Sequence, residues 1–512
     1  MLPAWADVVL GNCSEVPMRR LLNGRRFGFV QAQIFALLLS AAAAIPATAQ
    51  TFTNLHIFVG TDGAEPYKAP MIQGTDGNLY GTTSDTAFRM TPGGTLTTIY
   101  TFCSLSGCAD GSNPEGGLVL ATSGNFYGTT FGGGANNNAG TVFKLTPHGT
   151  LTTLYSFCSQ SGCTDGSGPW GLVQGTDGNF YGTTAFGGNS PSCFPTACGT
   201  VFKITPSGKL TTLHSFCSPS GCAEGVIPEA GLVQATNGSL YGTTSTGGNT
   251  GNGAVFKITP SGTLTTLYNF CSQTNCIDGR ISLGSLVQAS DGNLYGTTSI
   301  NGANGFGTVF KMTPGGTLTT IYSFCPQSGC PDGTTSAAAL IQANDGNLYG
   351  ITEFGGLSCS AFPGCGTVFQ VTTGGTLTTL YSFCFLSDCS DGGLPVSALV
   401  QHTNGTLYGT TFGNDVEGGA PFGTVFSESV PGLGPFVEAQ TYSGKVGATI
   451  GFLGQGFTKS TTVSFNGTLA TPSVKTRTYL TAKVPTGATT GFVIITTSGG
   501  SLQSNKIFRV IP

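Results

Sequence analysis

The sequence predicts an all-β protein whose main part is a seven-bladed β-propeller of four-stranded blades. The phrase TDGNFYGTT at Thr176–Thr184 occurs seven times with small changes, at a period of roughly fifty residues, which is typical of propellers and other repeat arrays. Between the occurrences lie short segments rich in Thr, Val, Tyr, Phe and Leu, bounded by Gly and Pro turns, as strands are. With 81 glycines and 8% charged residues, the chain lacks the composition of a disordered protein.

One repeat unit, Gly171–Phe216, shows how a blade is built. Its four strand-like pieces are Gly171–Gln174, Asn179–Thr184, Gly199–Thr205 and Leu210–Phe216. The Asp177-Gly178 pair between the first two pieces predicts a two-residue type I′ hairpin turn, with positive φ at both residues. Four strands in each of seven units give the propeller. The recurring tyrosine of the phrase is expected to pack between neighbouring blades.

The ends of the repeat region predict how the ring closes. Thr53–Phe58 (TNLHIF) matches the fourth-strand piece and stands before the first unit, whereas Gly423–Ser427 (GTVFS) is a third-strand piece with no fourth strand after it. The N-terminal strand can therefore complete the last blade, which removes the exposed edge of an open array.

The first 49 residues predict an export signal. Met18, the better candidate for the initiator, opens a basic segment, and an apolar run follows at Ile34–Ile45. Ala47-Thr48-Ala49 fits a cleavage site that leaves Gln50 first. The alternatives are a membrane anchor or a buried helix, but the apolar run is short for a bilayer span. The sequence thus predicts a secreted or cell-surface protein with no transmembrane segment after cleavage.

The cysteines agree with export. Of 17 cysteines, all but Cys13 fall into eight local pairs. The pairs are Cys103/Cys108, Cys158/Cys163, Cys193/Cys198, Cys217/Cys222, Cys271/Cys276, Cys325/Cys330, Cys359/Cys365 and Cys384/Cys389. Disulfides are the favoured interpretation and metal binding the alternative, because few histidines accompany the pairs. Each bridge would close a very short loop and so brace that loop more than the fold.

The repeat resembles a known family. The blocks GLVQxxDGNLYGTT and GTVFKITPxGxLTTLYSF, seen from Gly171, Ser285 and their equivalents, resemble the GloVer (Gloeobacter/Verrucomicrobia-type) tandem repeat of exported choice-of-anchor proteins. The resemblance covers about Thr53–Ser429 and implies export and a propeller-like fold, but no known reaction. Residues 50–430 are accordingly predicted to form the propeller domain.

The last part of the chain, residues 431–512, has a different pattern. Pro431–Gly434 (PGLG) is predicted to be a linker. Alternating segments with turns at Asn466-Gly467 and Gly499-Gly500 predict a small β-sandwich. Gly444, Gly447, Gly454, Gly456, Phe457 and Val484-Pro485 resemble an IPT/TIG immunoglobulin-like domain, which implies binding or spacing and no chemistry.

Two candidate sites lie on the face that carries the connections after strands two and four of each blade, here called the looped face. Acidic residues that precede Gly after the Cys pairs could bind a cation such as calcium. They are Asp62, Asp110, Asp165, Glu224, Asp278, Asp332 and Asp391. The favoured alternative is that each carboxylate caps its own turn, since turns repeat and active sites do not. No cofactor is otherwise expected.

The second candidate site is a set of aromatic residues in the variable insertions of the looped face, which could stack on sugars. They are Phe131, Trp170, Phe186, Phe194, Phe354 and Phe362. The alternative for each is local packing.

Three functions follow, in order of preference. The first is an exported, monomeric, non-enzymatic binding or adhesion protein that recognises a glycan or another surface polymer. The second is a polysaccharide-active lyase or hydrolase with its site at the ring centre, and the third is a purely structural surface protein. Glu115, Glu229 and Glu353 break the repeat as a specific site would, but are interpreted as ordinary exposed residues. A deep pocket with two carboxylates beside a basic residue would favour the enzyme. A net charge of −4 without a basic patch argues against nucleic acid.

Overall fold

The computed structural model describes residues 50–189, 198–217, 222–357, 365–386, 389–413 and 422–511. The predicted export signal, residues 1–49, lies outside this part of the chain. Throughout the described residues the structure is almost entirely β, with short 3-10 turns at Ser106–Cys108, Ser161–Cys163 and Thr274–Cys276. Among these residues, no helix is long and apolar enough to cross a membrane.

The repeat region consists of successive four-stranded antiparallel sheets. Its strands are β1 (Thr51–Ile57), β2 (Ile72–Gln73), β3 (Leu79–Thr82), β4 (Thr86–Met90), β5 (Leu96–Thr101), β6 (Leu118–Leu120), β7 (Phe126–Thr130), β8 (Thr141–Leu145), β9 (Leu151–Ser156), β10 (Ser167–Gln174), β11 (Phe180–Phe186), β12 (Thr200–Ile204), β13 (Leu210–Ser215), β14 (Val233–Gln234), β15 (Leu240–Thr244), β16 (Ala254–Ile258), β17 (Leu264–Asn269), β18 (Val287–Gln288), β19 (Leu294–Thr298), β20 (Thr308–Met312), β21 (Leu318–Ser323), β22 (Ile341–Gln342), β23 (Leu348–Thr352), β24 (Thr367–Val371), β25 (Leu377–Ser382), β26 (Val400–Gln401), β27 (Leu407–Thr411) and β28 (Thr424–Ser429). Sheet 1 holds β2–β5, sheet 2 β6–β9, sheet 3 β10–β13, sheet 4 β14–β17, sheet 5 β18–β21, sheet 6 β22–β25, and sheet 7 β26–β28 with β1.

Sheet 7 joins the two ends of the repeat region, as predicted. β1 pairs antiparallel with β28, with Thr51 opposite Ser429 and Ile57 opposite Thr424. The first strand therefore supplies the fourth position of the last sheet. The edge that β28 would otherwise expose is covered by main-chain hydrogen bonds.

The recurring tyrosines pack between neighbouring sheets, as expected. Tyr80 of sheet 1 is buried in one cluster with Phe126 and Phe143 of sheet 2, and the same arrangement repeats along the chain. Tyr408 of sheet 7 lies in a cluster with Leu79 and Phe88 of sheet 1. The apolar core is thus a series of inter-sheet clusters, and the last sheet packs on the first.

The first-strand glutamines add a polar link between sheets. Gln342 Oε1 accepts a hydrogen bond from the Ser290 N–H in the turn of the preceding sheet, at 2.7 Å. Gln73 of sheet 1 exchanges two hydrogen bonds with Thr403 of sheet 7, at 2.8 and 2.9 Å. Because sheets 1 and 7 are linked as the others are, the two ends of the series meet.

The Asp-Gly turn differs from the prediction. Gly178 and its equivalent Gly77 both have φ +81°, but Asp177 and Asp76 are not among the residues with positive φ, so neither turn is type I′. The Gly77 N–H donates to the Gly74 carbonyl, and the Gly74 N–H donates to the Asn78 carbonyl. These bonds define a three-residue loop in which the glycine is the left-handed residue. Asp76 instead accepts hydrogen bonds from Asn78 and from the Tyr80 hydroxyl, at 2.6 and 2.9 Å.

The C-terminal residues form a separate β structure around their own core. The strands are β29 (Glu438–Ala439), β30 (Ser443–Lys445), β31 (Thr449–Leu453), β32 (Thr462–Phe465), β33 (Thr468–Ala470), β34 (Pro472–Val474), β35 (Tyr479–Lys483), β36 (Val493–Thr497), β37 (Gly500–Gln503) and β38 (Arg509–Ile511). One sheet has the order β29-β31-β35-β34, a second β33-β32-β36-β37, and β30 pairs in parallel with β38. Phe452, Phe465 and Phe508 lie at the centre of the shared core.

This C-terminal region contacts the turns that follow the first strands of the repeat sheets. The Thr478 hydroxyl donates to the Thr75 carbonyl at 2.9 Å, and Arg509 donates to that of Thr236 at 2.6 Å. Gln455 donates to the Thr403 hydroxyl at 2.8 Å. Even the predicted linker takes part, because the Gly434 carbonyl accepts from the Asn344 amide at 2.8 Å. The C-terminal region therefore covers the tight-turn face, opposite the looped face.

Candidate functional site

The aligned acidic residues each hold a hydrogen-bonded loop. Asp278 is fully buried, and its Oδ2 accepts from the Tyr268 hydroxyl at 2.8 Å and from the Ser272 N–H at 2.9 Å. Asp110, Asp165, Asp332 and Asp391 are buried in the same way, each with a tyrosine hydroxyl as donor. Burial opposes ionisation of Asp110, but hydrogen bonds from Ser104, Tyr100 and the main chain outweigh it and hold its pKa below the usual value.

The two remaining acids of the set have histidine partners. Asp62 lies 2.8 Å from His56 Nε2, and Glu224 lies 3.0 Å from His214 Nε2. The structure thus places each predicted metal candidate in its own loop and does not bring them together. Within the described residues, the group that meets metal-ligand distances is Cys198, Cys217 and Cys222. These sulfurs are disulfide-bonded and so are not available as thiolate ligands.

Disulfides join the cysteines beside these loops. The structure bridges Cys103–Cys108, Cys158–Cys163, Cys217–Cys222, Cys271–Cys276, Cys325–Cys330 and Cys384–Cys389. Cys198 and Cys365 are disulfide-bonded as well, whereas Cys193 and Cys359 lie outside the described residues. Both cysteines of each of the six bridges have positive φ. The bridges close the loops whose carboxylates are described above.

Three of the predicted aromatic residues meet on the looped face. Phe131 of sheet 2 lies edge-on to Trp170 and to Phe186 of sheet 3, with ring centroids 5.7 and 6.0 Å apart. Phe186 is 38% exposed, Phe131 is half-buried and Trp170 is buried. Phe354 is half-buried in sheet 6, and Phe194 and Phe362 lie outside the described residues.

Phe131 and Phe186 line a cleft of about 490 Å³ between sheets 2 and 3. Amide side chains share this lining, namely Asn113, Asn137 and Asn138. Sheet 3 differs from the others here: β10 begins at Ser167 and pairs with an extended β11, with Ser167 opposite Phe186. The longer pair carries Phe186 out to the rim, where an aromatic ring and amide groups can contact a flat polar ligand.

A second cavity lies where the innermost strands of all the repeat sheets converge. It measures about 160 Å³ and is lined by residues just before or within the first strand of every sheet. One register position, twelve residues before the recurring tyrosine, supplies lining side chains from six of the sheets. In sheet order that position holds Lys68, Glu115, Pro169, Glu229, Leu283, Ala337 and Val396. Charged groups therefore occupy one side of the cavity and apolar groups the other.

The charged side also includes Trp170 of sheet 3. The Lys68 ammonium lies 5.1 Å from the centroid of the Trp170 ring. Burial raises the pKa of Glu115; Lys68 lowers it in part and Glu229 raises it further. Burial likewise raises the pKa of Glu353, again opposed by Lys68. The interpretation of these three glutamates as ordinary exposed residues is wrong, because all three are half-buried.

Lys68 was not singled out from the sequence. The signal that could have found it is the register position itself, where most repeats hold an apolar or proline residue and sheets 1, 2 and 4 hold a charge. Comparing the repeats position by position selects Lys68, Glu115 and Glu229 together.

Comparisons with known proteins agree with the repeat pattern. A family model described as the Gloeobacter/Verrucomicrobia repeat matches three overlapping segments, residues 43–216, 84–286 and 273–471. No curated protein matches the chain.

Solved structures similar to the chain include two extracellular domains of putative two-component systems from B. thetaiotaomicron. Each is 11% identical with a TM-score of 0.48; the alignments cover 90% and 91% of this chain and 58% and 60% of those chains. The chain thus spans less than two thirds of their length. A gluconolactonase from Xanthomonas campestris is 12% identical with a TM-score of 0.38, over 76% of this chain and 93% of that chain.

Proposed function

The chain belongs to the Gloeobacter/Verrucomicrobia repeat family, and we propose that it is an extracellular, non-enzymatic protein that binds a glycan or another surface polymer through its looped face. The observation that carries this proposal is the meeting of Phe131, Trp170 and Phe186 beside a cleft lined by asparagines. Aromatic faces pack against the apolar faces of sugar rings, and amides bond their hydroxyls.

The scaffold in this proposal is a closed seven-bladed β-propeller with an immunoglobulin-like C-terminal domain of the IPT/TIG type. The contacts of Tyr408 and Thr403 with sheet 1 support closure, since they repeat the contacts between the other neighbouring sheets. The two sheets around Phe452 and Phe465 support the sandwich. A rigid ring holds the loops of one face at fixed distances, as binding surfaces require.

Extracellular location is supported by the cysteines. Disulfides persist in oxidising compartments and are rare in reducing ones, and the described residues contain bridges in loop after loop. Residues 1–49 are proposed to direct export and to be removed before Gln50.

A glycan array, together with pull-down on insoluble polysaccharides, tests the proposal. The purified chain is applied with calcium and with a chelator. Selective binding to a carbohydrate supports the proposal. Equal binding with calcium and with chelator would agree with loop aspartates that already accept hydrogen bonds within their own loops. Absence of binding to every carbohydrate in both conditions would contradict it and leave protein adhesion or a structural role.

The central cavity favours a second candidate, a polysaccharide-active enzyme. Glu115 and Glu229 lie beside Lys68 in a pocket, which is the arrangement expected of such a site at the ring centre. A carboxyl group with a raised pKa can donate a proton to a leaving oxygen while a second one acts as base. Incubation with a panel of polysaccharides, followed by assay of new reducing ends and of unsaturated products, tests it; activity that disappears in Glu115→Gln would replace the binding function.

A further inference from the structure

The central cavity has an excess of negative charge that its own residues do not neutralise. Glu115 and Glu229 line it together with one cation, Lys68, and the Lys68 charge also acts on Glu353, outside the lining. The direct ion pairs among the described residues all lie elsewhere, at His56, Lys203, His214 and Lys311. A chain with 23 acidic residues of 512 thus places two of them in the lining of one pocket, where low-dielectric walls focus their field.

The order of the residues around the cavity defines where a cation would sit. Glu115 belongs to sheet 2, Trp170 to sheet 3 and Glu229 to sheet 4, so an aromatic residue stands between two carboxylates. An ammonium group is stabilised by carboxylates and by the face of an indole. The protein already holds one ammonium there, that of Lys68 over Trp170. The surroundings therefore suit this kind of group.

Trp170 has a buried polar group without a partner. It is 6% exposed and lines the cavity, yet its indole N–H has no hydrogen-bond partner among the described residues. Buried polar groups of this kind normally have a partner.

Other ligand classes fit the cavity less well. A divalent metal ion needs several oxygen ligands close together, and these glutamates belong to no group of three or more such side chains at metal-ligand distance among the described residues. An anion would face two carboxylates for one ammonium. The opposite wall, formed by Leu283, Ala337 and Val396, suits an apolar ring face.

We propose that the central cavity binds a protonated primary amine of the ligand, between the carboxylates of Glu115 and Glu229 and beside Trp170. The inference rests on the proposed function and deepens it, because an amino sugar in a polymer carries such an amine next to hydroxyl oxygens on a ring. Free polyamines share the amine but lack the ring.

Tryptophan fluorescence measures occupancy of this site directly. The sequence contains two tryptophans, Trp5 and Trp170, and Trp5 lies in the segment proposed to be removed, so the protein that begins at Gln50 reports on Trp170 alone. It is titrated with fully deacetylated glucosamine oligomers, with the N-acetylated oligomers of the same length, and with spermidine. A response to glucosamine oligomers at least about tenfold tighter than to the acetylated ones is expected, since acetylation removes the charge.

Two variants with opposite expected effects separate binding from folding. Glu229→Gln should weaken glucosamine binding about tenfold, because it removes one charged acceptor. Lys68→Met keeps the aliphatic stem and removes the competing cation, so binding should strengthen on the order of fivefold. A misfolded protein would not produce this gain. Glu224→Gln, which removes a carboxylate of the same face outside the cavity, serves as the control and should change nothing.

The outcomes distinguish this inference from the proposed function. Equal responses to acetylated and deacetylated oligomers, or weaker binding in Lys68→Met, would overturn the amine site and leave glycan binding standing. Spermidine binding as tight as that of the oligomers would support amine recognition and reject the sugar ring as its carrier. No fluorescence response to any amine, with carbohydrate binding intact on the array, would also overturn the inference. No carbohydrate binding at all would contradict both.

Discussion

The ring of Phe186 meets the ring of Phe131 edge-on, with 6.0 Å between centroids and 75° between planes, although the two residues belong to different sheets. Edge-to-face contact of this kind fixes both rings without covering them fully. The rim of the cleft is therefore a prearranged aromatic surface, which reduces the entropy lost when a ligand binds.

Removing the exposed ring tests whether this surface binds. Phe186→Ala should weaken carbohydrate binding by at least about tenfold, as expected for loss of an aromatic anchor, and should change thermal stability little because Phe186 is 38% exposed. Isothermal titration with the best carbohydrate from the array measures the effect. Phe385→Ala is the matched control, since Phe385 is 73% exposed on another loop of the same face. Equal losses in both variants would contradict a specific site at Phe186.

The buried carboxylates are expected to act in stability. Asp278→Asn should lower the free energy of unfolding by about 1–3 kcal/mol, because it weakens charge-assisted hydrogen bonds from Tyr268 and Ser272. Denaturant unfolding with calcium or with a chelator measures it. Asp85→Asn, at an exposed position bonded to the Thr83 side chain, should cost less. Stabilisation of the native chain by calcium that disappears in Asp278→Asn would instead assign a metal to the loop.

Glu428 should make stability depend on pH. It is fully buried in β28. Among the described residues, no partner lies at hydrogen-bonding distance and angle from either of its carboxylate oxygens. Burial raises its pKa to about 7, opposed in part by the Gln50 side chain. Tyr381, whose hydroxyl donates to Asp391, faces it from sheet 6.

The sign of the effect follows from the raised pKa. Folding favours protonated Glu428. The contribution of this residue to the free energy of unfolding is therefore fully present below the unfolded pKa of about 4.3, and it is lost as pH rises to about 7. Glu428→Gln should equal the native chain near pH 4 and exceed its stability at pH 8, by at most about 4 kcal/mol. Denaturant unfolding across this pH range measures the difference. The same pH profile in both proteins would exclude this role, and Glu65→Gln, at an exposed position, is the control.

The short disulfides should stabilise their loops locally. Replacing Cys271 and Cys276 by Ser should cost at most about 2 kcal/mol, the chain entropy of so small a loop. Both cysteines have positive φ, 57° and 53°, so a double replacement by Gly should cost less than one by Ser. Hydrogen exchange should rise around the loop and not in β17. Exchange that rises throughout the chain would show that the bridge holds more than its loop.

Much of the scaffold was predictable because every repeat unit carries the same pattern of strands and turns. Strand positions, the burial of tyrosines such as Tyr80 and the pairing of β1 with β28 follow from local periodicity and from the mismatched ends. The turn type was not, since a glycine after Asp suits both type I′ and a three-residue loop, and the Asp76 side-chain bonds decide for the latter.

The site was only partly predictable. Phe131, Trp170 and Phe186 were identified as aromatic residues in loops, but the extension of β10 that brings Phe186 to the rim is a property of one sheet. The half-burial of Glu115, Glu229 and Glu353 has no signal in the residues next to them. The meeting of Glu115 and Glu229 at one cavity depends on how the sheets are arranged in space, which no local pattern contains.

The pairing of β1 with β28 also governs the order of events during folding. The first and last strands of the repeat region pair in the last sheet, so this strand pairing has the largest sequence separation within the repeat region and should form late. Until then β28 offers an unpaired edge to other chains. In this final step β1 competes with strands of other molecules for the edge of β28. Agents that keep chains apart during refolding should therefore raise the yield of folded protein mainly at this step.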